Sequence, residues 1–205
     1  MAHGTLHART NNLLIMKLRD TKPTQNGFSL IEMLIAISIM IIITAISVNS
    51  AMQVLPGLRL KRAARVLIAQ MQQARFNAIK ENRIWQIQFT DNPGTTNDSY
   101  QLISSGPDGI IGNADDILSP TVFLSAYGSG VAYGAGGATA TWNNDVIDQR
   151  TSVTFSNRGL CGQGITYLTN QDNTVSFAIT TSIAGSVTLR KYNGITPFNT
   201  NNWMN

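Results

Sequence analysis

Residues 28–48, FSLIEMLIAISIMIIITAISV, form an apolar run of 21 residues with a single charged side chain, Glu32. As a helix rising 1.5 Å per residue, the run spans roughly 30 Å, the thickness of a bilayer's hydrocarbon core, so it predicts a membrane-spanning helix. A secretory signal would be shorter and followed by a small-residue cleavage site. Pro56 and Gly57 are expected to interrupt the helix with a kink or a loosened turn. Leu60, Ala64, Leu67, Met71, Ala74 and Ala78 then recur at spacings of four and three, which predicts an amphipathic helix over residues 49–83 whose apolar stripe needs a sheet to cover it. At Trp85 the period changes to two: Trp85, Ile87 and Phe89 alternate with Gln86 and Gln88, as in a half-buried strand. Further strands are expected at 100–104, 121–125, 152–155, 165–168, 174–180 and 186–190, the last two forming a hairpin around 181–185, with a short strand at 131–133. Residues 127–141, rich in Gly and Ala, read as a mobile surface loop, and the terminal NTNNWMN as frayed. The fold class that follows is α+β, a long N-terminal helix packed on an antiparallel β-sheet domain formed by residues 84–205.

The distribution of charge narrows what this domain can do. The chain of 205 residues has a net charge of +4, a balance that taken whole suggests nucleic acid or a membrane surface. Residues 1–27 carry four basic side chains and Asp20, and the helix from Leu58 to Arg83 carries seven against Glu81 alone. Beyond Arg83, Arg150, Arg158, Arg190 and Lys191 face eight Asp residues, so the β domain is acidic and lacks a broad basic face for phosphate. The basic residues of the helix are expected to form a solvated face beside an anionic membrane surface. Lys17, Arg19 and Lys22 precede the span closely, which by the positive-inside rule holds the N-terminus in the cytoplasm and sends the β domain outward. Cys161 is the only cysteine, so no internal disulfide is available.

The junction of leader and span carries the first resemblance. Gly27 follows the basic stretch KLRDTKPTQN and precedes FSLIEM, a pattern that resembles the type IV prepilin signal. Met1 and Met16 both remain possible starts for the leader. The resemblance implies a type IV pilin-like fold and cleavage between Gly27 and Phe28 by a prepilin peptidase. Phe28 then becomes the N-methylated first residue, and Glu32 the fifth residue of the mature chain. A carboxylate in an apolar helix is costly and usually functional. In a bundle of stacked subunits, Glu32 can meet the ammonium of a neighbour's Phe28, so that two charges costly alone neutralise each other. The alternative is a signal anchor whose Glu32 sits near the headgroups without a role.

The segment ARFNAIKENRIWQIQF, a helix running straight into a strand, resembles minor pseudopilins of the GspH/FimT type, as do SVTFSNRGL at 152–160 and VSFAITTSIAGSVTLRKYNG at 175–194, with the Phe155 to Gly159 turn. This implies a structural subunit of a type II secretion pseudopilus or a type IV pilus. It would be anchored in the bacterial inner membrane with its β domain periplasmic. The implied partners are prepilin peptidase, sibling pilins and a membrane assembly platform. Two alternatives stay open: a minor pilin that captures DNA through arginines after the last turn glycine, and a membrane-tethered β domain outside any filament. For the first, Gly185 is followed by Ser186 and Val187, leaving only Arg190 and Lys191 nearby, so nucleic acid is not the expected partner.

Residues 104–118, SSGPDGIIGNADDIL, hold the best candidate for bound chemistry. Asp108, Asp115 and Asp116 place three carboxylates within nine residues, and Gly106, Gly109 and Gly112 let carbonyls turn inward, a supply of hard oxygen donors that suits calcium. The spacing is not that of an EF-hand, although the stretch resembles the calcium loop of major pseudopilins. The other reading is a pair of solvated Asp/Gly turns. Catalysis is not expected, because His3 and His7 lie in or before the leader and leave Cys161 without a histidine partner. Cys161 is expected to be a small buried or turn residue.

Overall fold

The computed structural model describes residues 27–95, 97–195 and 198–204, with only the backbone at 49 and 50. One helix, α1, runs Leu30–Glu81 with Pro56 inside it, so the interruption expected at Pro56 and Gly57 does not end the helix. Proline's fixed φ is itself helical, and its cost is one missing N–H and crowding of the preceding turn, which a long helix packed on a sheet can absorb. The chain divides into two units, Met1–Thr44 and Ala45–Asn205. In the first, residues 30–44 are helical and exposed. The apolar part of α1 is long enough to cross a membrane by length and composition, and among the described residues none of that stretch is buried.

In the second unit the predicted stripe is the core. Leu60, Ala64, Leu67, Met71, Ala74 and Ala78 are all fully buried, joined by Ala63. Each large member contributes roughly 1.5–3 kcal/mol on burial, and the alanines let the sheet backbones approach the helix. After α1 come β1 (Trp85–Thr90), β2 (Ser99–Ser104), β3 (Ile117–Leu118), β4 (Val122–Phe123), β5 (Ala132–Tyr133), β6 (Ser152–Phe155), β7 (Gly164–Thr169), β8 (Ser176–Thr181), β9 (Val187–Tyr192) and β10 (Trp203–Met204). They form two antiparallel sheets rather than one continuous one. The first has the order β3-β2-β1-β6, with β4 also on β2; the second is β10-β9-β8-β7-β5.

Register explains which side chains meet the helix. In the first sheet Ile87 lies opposite Leu102 and Val153, and Phe89 opposite Tyr100, so these apolar side chains share one face. They enter the same core cluster as the helix stripe, while Gln86 on the other face donates to Thr154 Oγ1 at 3.0 Å. In the second sheet Leu168 pairs with Phe177 and Ile179 with Leu189, giving the face in the helix core. The opposite face, with Tyr167 on Ala178 and Tyr192 on Trp203, is also covered. There a second cluster forms from Tyr167, Ala178, Tyr192, Trp203, Ala135 and Ala138, with Trp142 packed against it.

This second cluster corrects two expectations. The 127–141 stretch is a packed cover, since Val131, Tyr133, Ala135, Ala138 and Thr141 are all buried. The C-terminal tail ends in a strand: Trp203 is buried, lies 5.4 Å from the Tyr192 ring, and donates from Nε1 to Ala140 O at 3.0 Å. One large aromatic side chain offsets the disorder expected of a polar terminus.

Candidate functional site

At the front of the chain, residues 27–29 are non-helical and exposed, and α1 starts at Leu30. Ser29 contributes its carbonyl to the first turn, accepting from the N–H groups of Glu32 and Met33 at 3.0 and 3.1 Å. Among the described residues no atom lies within 4 Å of where a Cβ on Gly27 would stand, and Phe28 is 77% exposed. The Gly27–Phe28 bond therefore lies in an open, non-helical peptide, the form in which a protease can bind a chain. Glu32 falls in the first helical turn, where the helix dipole favours a negative charge. Behind it, the exposed face runs through Met33, Leu34, Ile35 and Ile37 to Ile46 without another charged residue.

At the other end of α1 the basic residues have two fates. Lys61, Arg62 and Arg65 are exposed, as a solvated face requires. Arg59 and Arg75 are docked instead. The guanidinium of Arg75 donates from Nε to Gly159 O and from a terminal nitrogen to Ala184 O, both at 3.1 Å, clipping the turns at 156–159 and 182–185 to the helix. Gly159 and Gly185 both have positive φ, +74° and +76°. A Cβ on Gly185 would overlap Gly159 O and lie 2.7 Å from Arg75 Nε; one on Gly159 would lie 2.7 Å from Ile79 Cδ1. This three-residue joint was not visible in the sequence, where Arg75 is one of seven basic residues on the helix. The glycines in two predicted turns were the available signal.

The Asp-rich stretch forms the loop between β2 and β3, and its last residues, Ile117 and Leu118, pair with Ser104 and Ile103 respectively. Asp108 accepts from Ile110 N–H at 2.9 Å and from the Asn113 side-chain amide; Asp116 accepts from Gly112 N–H at 2.6 Å. Asp115 lies against Gly106, whose missing Cβ leaves room for it. The three carboxylates thus brace one loop, but among the described residues no three acidic, His or Cys side chains converge as a metal cluster. The fit to calcium rests on Asp116 Oδ1, which is enclosed and has no hydrogen-bond partner among the described residues, together with the loop's carbonyls.

Cys161 is buried, and its Sγ donates to Ser182 O at 3.0 Å. Burial pushes its thiol up from the ordinary value, against smaller lowering effects from Thr181, Gly185 and Arg75, so a packing role suits it better than a nucleophile's. Arg190 and Lys191 are consecutive in a strand and so project to opposite faces. Arg190 lies 4.5 Å above the Trp142 ring, and the pair does not form one basic patch.

Comparison with known proteins adds one sequence match and two structural ones. Residues 22–48 match the family profile of the prokaryotic N-terminal methylation motif. The matched segment contains Gly27, Phe28 and Glu32. Two crystal structures of the type IV minor pilin FimU from Pseudomonas aeruginosa PAO1 are similar to the chain at 15% and 17% identity, each with a TM-score of 0.41. Both cover 63% of this chain, and 87% and 91% of the FimU chains. No match is found among curated proteins.

Proposed function

We propose that the chain is a minor pilin or pseudopilin, a non-catalytic filament subunit of the GspH/FimT type. In this reading it is cut between Gly27 and Phe28, methylated at Phe28, and assembled through α1. The observation that carries this is the coincidence of three things in one segment. The methylation motif covers residues 22–48, its Gly27–Phe28 bond lies in exposed non-helical chain, and Glu32 sits at the head of an unburied apolar helix. An apolar helix with no protein partner needs either lipid or other copies of such a helix. The sequence supplies both stages: a membrane-inserted precursor with its β domain on the periplasmic side, then a subunit packed among sibling pilins by the assembly platform.

Gly27→Lys tests this reading. A peptidase that reads a residue without a side chain at this position is expected to leave the variant uncut. On a denaturing gel of membranes containing the peptidase, the variant runs at precursor size and the wild type at mature size. Equal processing of the two would count against the proposal.

Calcium at the loop between β2 and β3 is part of the same proposal: Asp116 Oδ1 is its first donor, and Asp108 and Asp115, which do not converge with it in this structure, would have to turn from their present loop contacts toward the ion. Its expected work is to brace the loop: at tenfold excess over Kd, a bound ion stabilises by about 1.4 kcal/mol. Thermal unfolding of the full chain in detergent is expected to shift up with calcium relative to chelator, and Asp116→Ala to abolish the shift. An unchanged midpoint removes the site.

A further inference from the structure

The face of the second sheet turned away from α1 carries a groove of about 390 Å³, within the size range of roughly 300–1,000 Å³ for small-molecule sites. Trp142, Asp145, Asp148, Arg150, Tyr167 and Thr180 supply its chemistry. Ile165 and Thr180 are cross-strand partners, as are Tyr167 and Ala178, which puts these residues on one face of β7 and β8. The 141–150 segment that crosses this face brings Trp142 and the two carboxylates. Trp142 is fixed from two sides, by the Arg190 guanidinium at 4.5 Å and by the Trp203 ring at 5.8 Å.

Two polar groups of this groove stand unused. Tyr167 is fully buried, yet among the described residues its hydroxyl has no hydrogen-bond partner, and Thr180 Oγ1 is likewise enclosed and without a partner among them. A buried hydroxyl left unpaired costs roughly 1–3 kcal/mol, and in a native structure such a group calls for an explanation. Burial, followed by the carboxylates of Asp148 and Asp145, pushes the Tyr167 phenol up to about 12, so at neutral pH it is a donor. The site thus offers hydroxyl donors, carboxylate acceptors and a braced aromatic ring.

We propose that this groove binds a neutral saccharide, its vicinal hydroxyls bonding Asp148, Tyr167 and Thr180 and its C–H face lying against Trp142. A sugar hydroxyl both donates and accepts, so one ring can serve the carboxylates and the unused hydroxyls together. Its axial C–H groups match the electron-rich face of an indole. Arg150, which donates to Gln163 O, is the one cation among the groove's lining residues and is outnumbered by Asp145 and Asp148, so the groove has no net positive charge to select an anion. The proposal stands apart from filament assembly, since every residue in it lies outside α1.

Saturation-transfer NMR on the full chain in lipid nanodiscs, prepared without glycosidic detergents, tests it. The probes are glucose, galactose, mannose and N-acetylglucosamine. At least one probe is expected to receive transfer, and its affinity to fall tenfold or more in Asp148→Asn and in Tyr167→Phe. Tyr167→Phe removes an unpaired hydroxyl, so its melting temperature is expected to equal or exceed that of the wild type, and the lost signal then reports binding. Transfer to none of the four sugars, or transfer unchanged in both variants, overturns the proposal.

Discussion

Glu32→Ala is expected to leave the chain inserted and cut but to exclude it from filaments. The two stages have opposite energetics. In the single precursor, a carboxylate near the start of an apolar span costs up to roughly 2.5–3.5 kcal/mol, so its loss makes insertion no harder. In the proposed filament the same carboxylate would neutralise the freed ammonium of a neighbour's Phe28, and removing one partner of a buried pair costs roughly 3–5 kcal/mol because the other charge is left alone. That is a fall of a hundredfold or more in incorporation, measured as the ratio of variant to wild type in sheared filaments or in cross-linked sibling complexes. A Glu32 that only favours the helix dipole is worth roughly 0.3–1 kcal/mol, a few-fold at most. Unchanged assembly would favour the membrane-tethered domain outside any filament. Glu32→Gln keeps the shape and loses the charge, so it should resemble Glu32→Ala if charge pairing is the cause.

The second large effect is expected at Gly185. Gly185→Ala puts a methyl group where Gly159 O already lies and imposes a Cβ on φ +76°. Left-handed backbone at a non-glycine residue costs on the order of 1–3 kcal/mol by itself. Relief of the overlap requires the 182–185 turn to move away from the 156–159 turn and off Arg75, losing the hydrogen bond to Ala184 O. The sum is about 3 kcal/mol, which for a domain of this size lowers the melting temperature by roughly 10 °C. Arg75→Met is expected to cost less, because the exposed Ala184 carbonyl can turn to water and only the part-buried Gly159 carbonyl loses its partner. A change under 2 °C for Gly185→Ala would mean that the two turns are not interlocked as described.

The parts of this fold written in the sequence are those with a regular period. The stripe from Leu60 to Ala78 and the alternation at Trp85, Ile87 and Phe89 placed the helix face and the first strand, because burial selects side chains every 3.6 or every 2 residues. Two-residue strands carry no period. Ile117–Leu118 was read as the end of an Asp-rich loop, and Trp203–Met204 as a frayed tail, although Trp203 packs between Tyr192 and Tyr167. The division into two sheets was hidden for a similar reason: pairing partners far apart in sequence leave no local mark. The cover at 127–141 was misread from composition, since small residues signal close packing as readily as mobility. At the front end, the decisive residues were adjacent in sequence, so Gly27, Phe28 and Glu32 could be named together. The groove at Trp142, Tyr167 and Thr180 draws on two neighbouring strands and on a loop whose Trp142 stands more than twenty residues before Tyr167, a juxtaposition with no local mark in the sequence.

Intact-mass and tandem mass spectrometry of the full chain, purified from membranes of cells that carry a prepilin peptidase, addresses the central claim directly. The account predicts a mature N-terminus at Phe28 bearing one methyl group, with residues 1–27 absent. A chain that retains the peptide bond between residues 27 and 28 would contradict it.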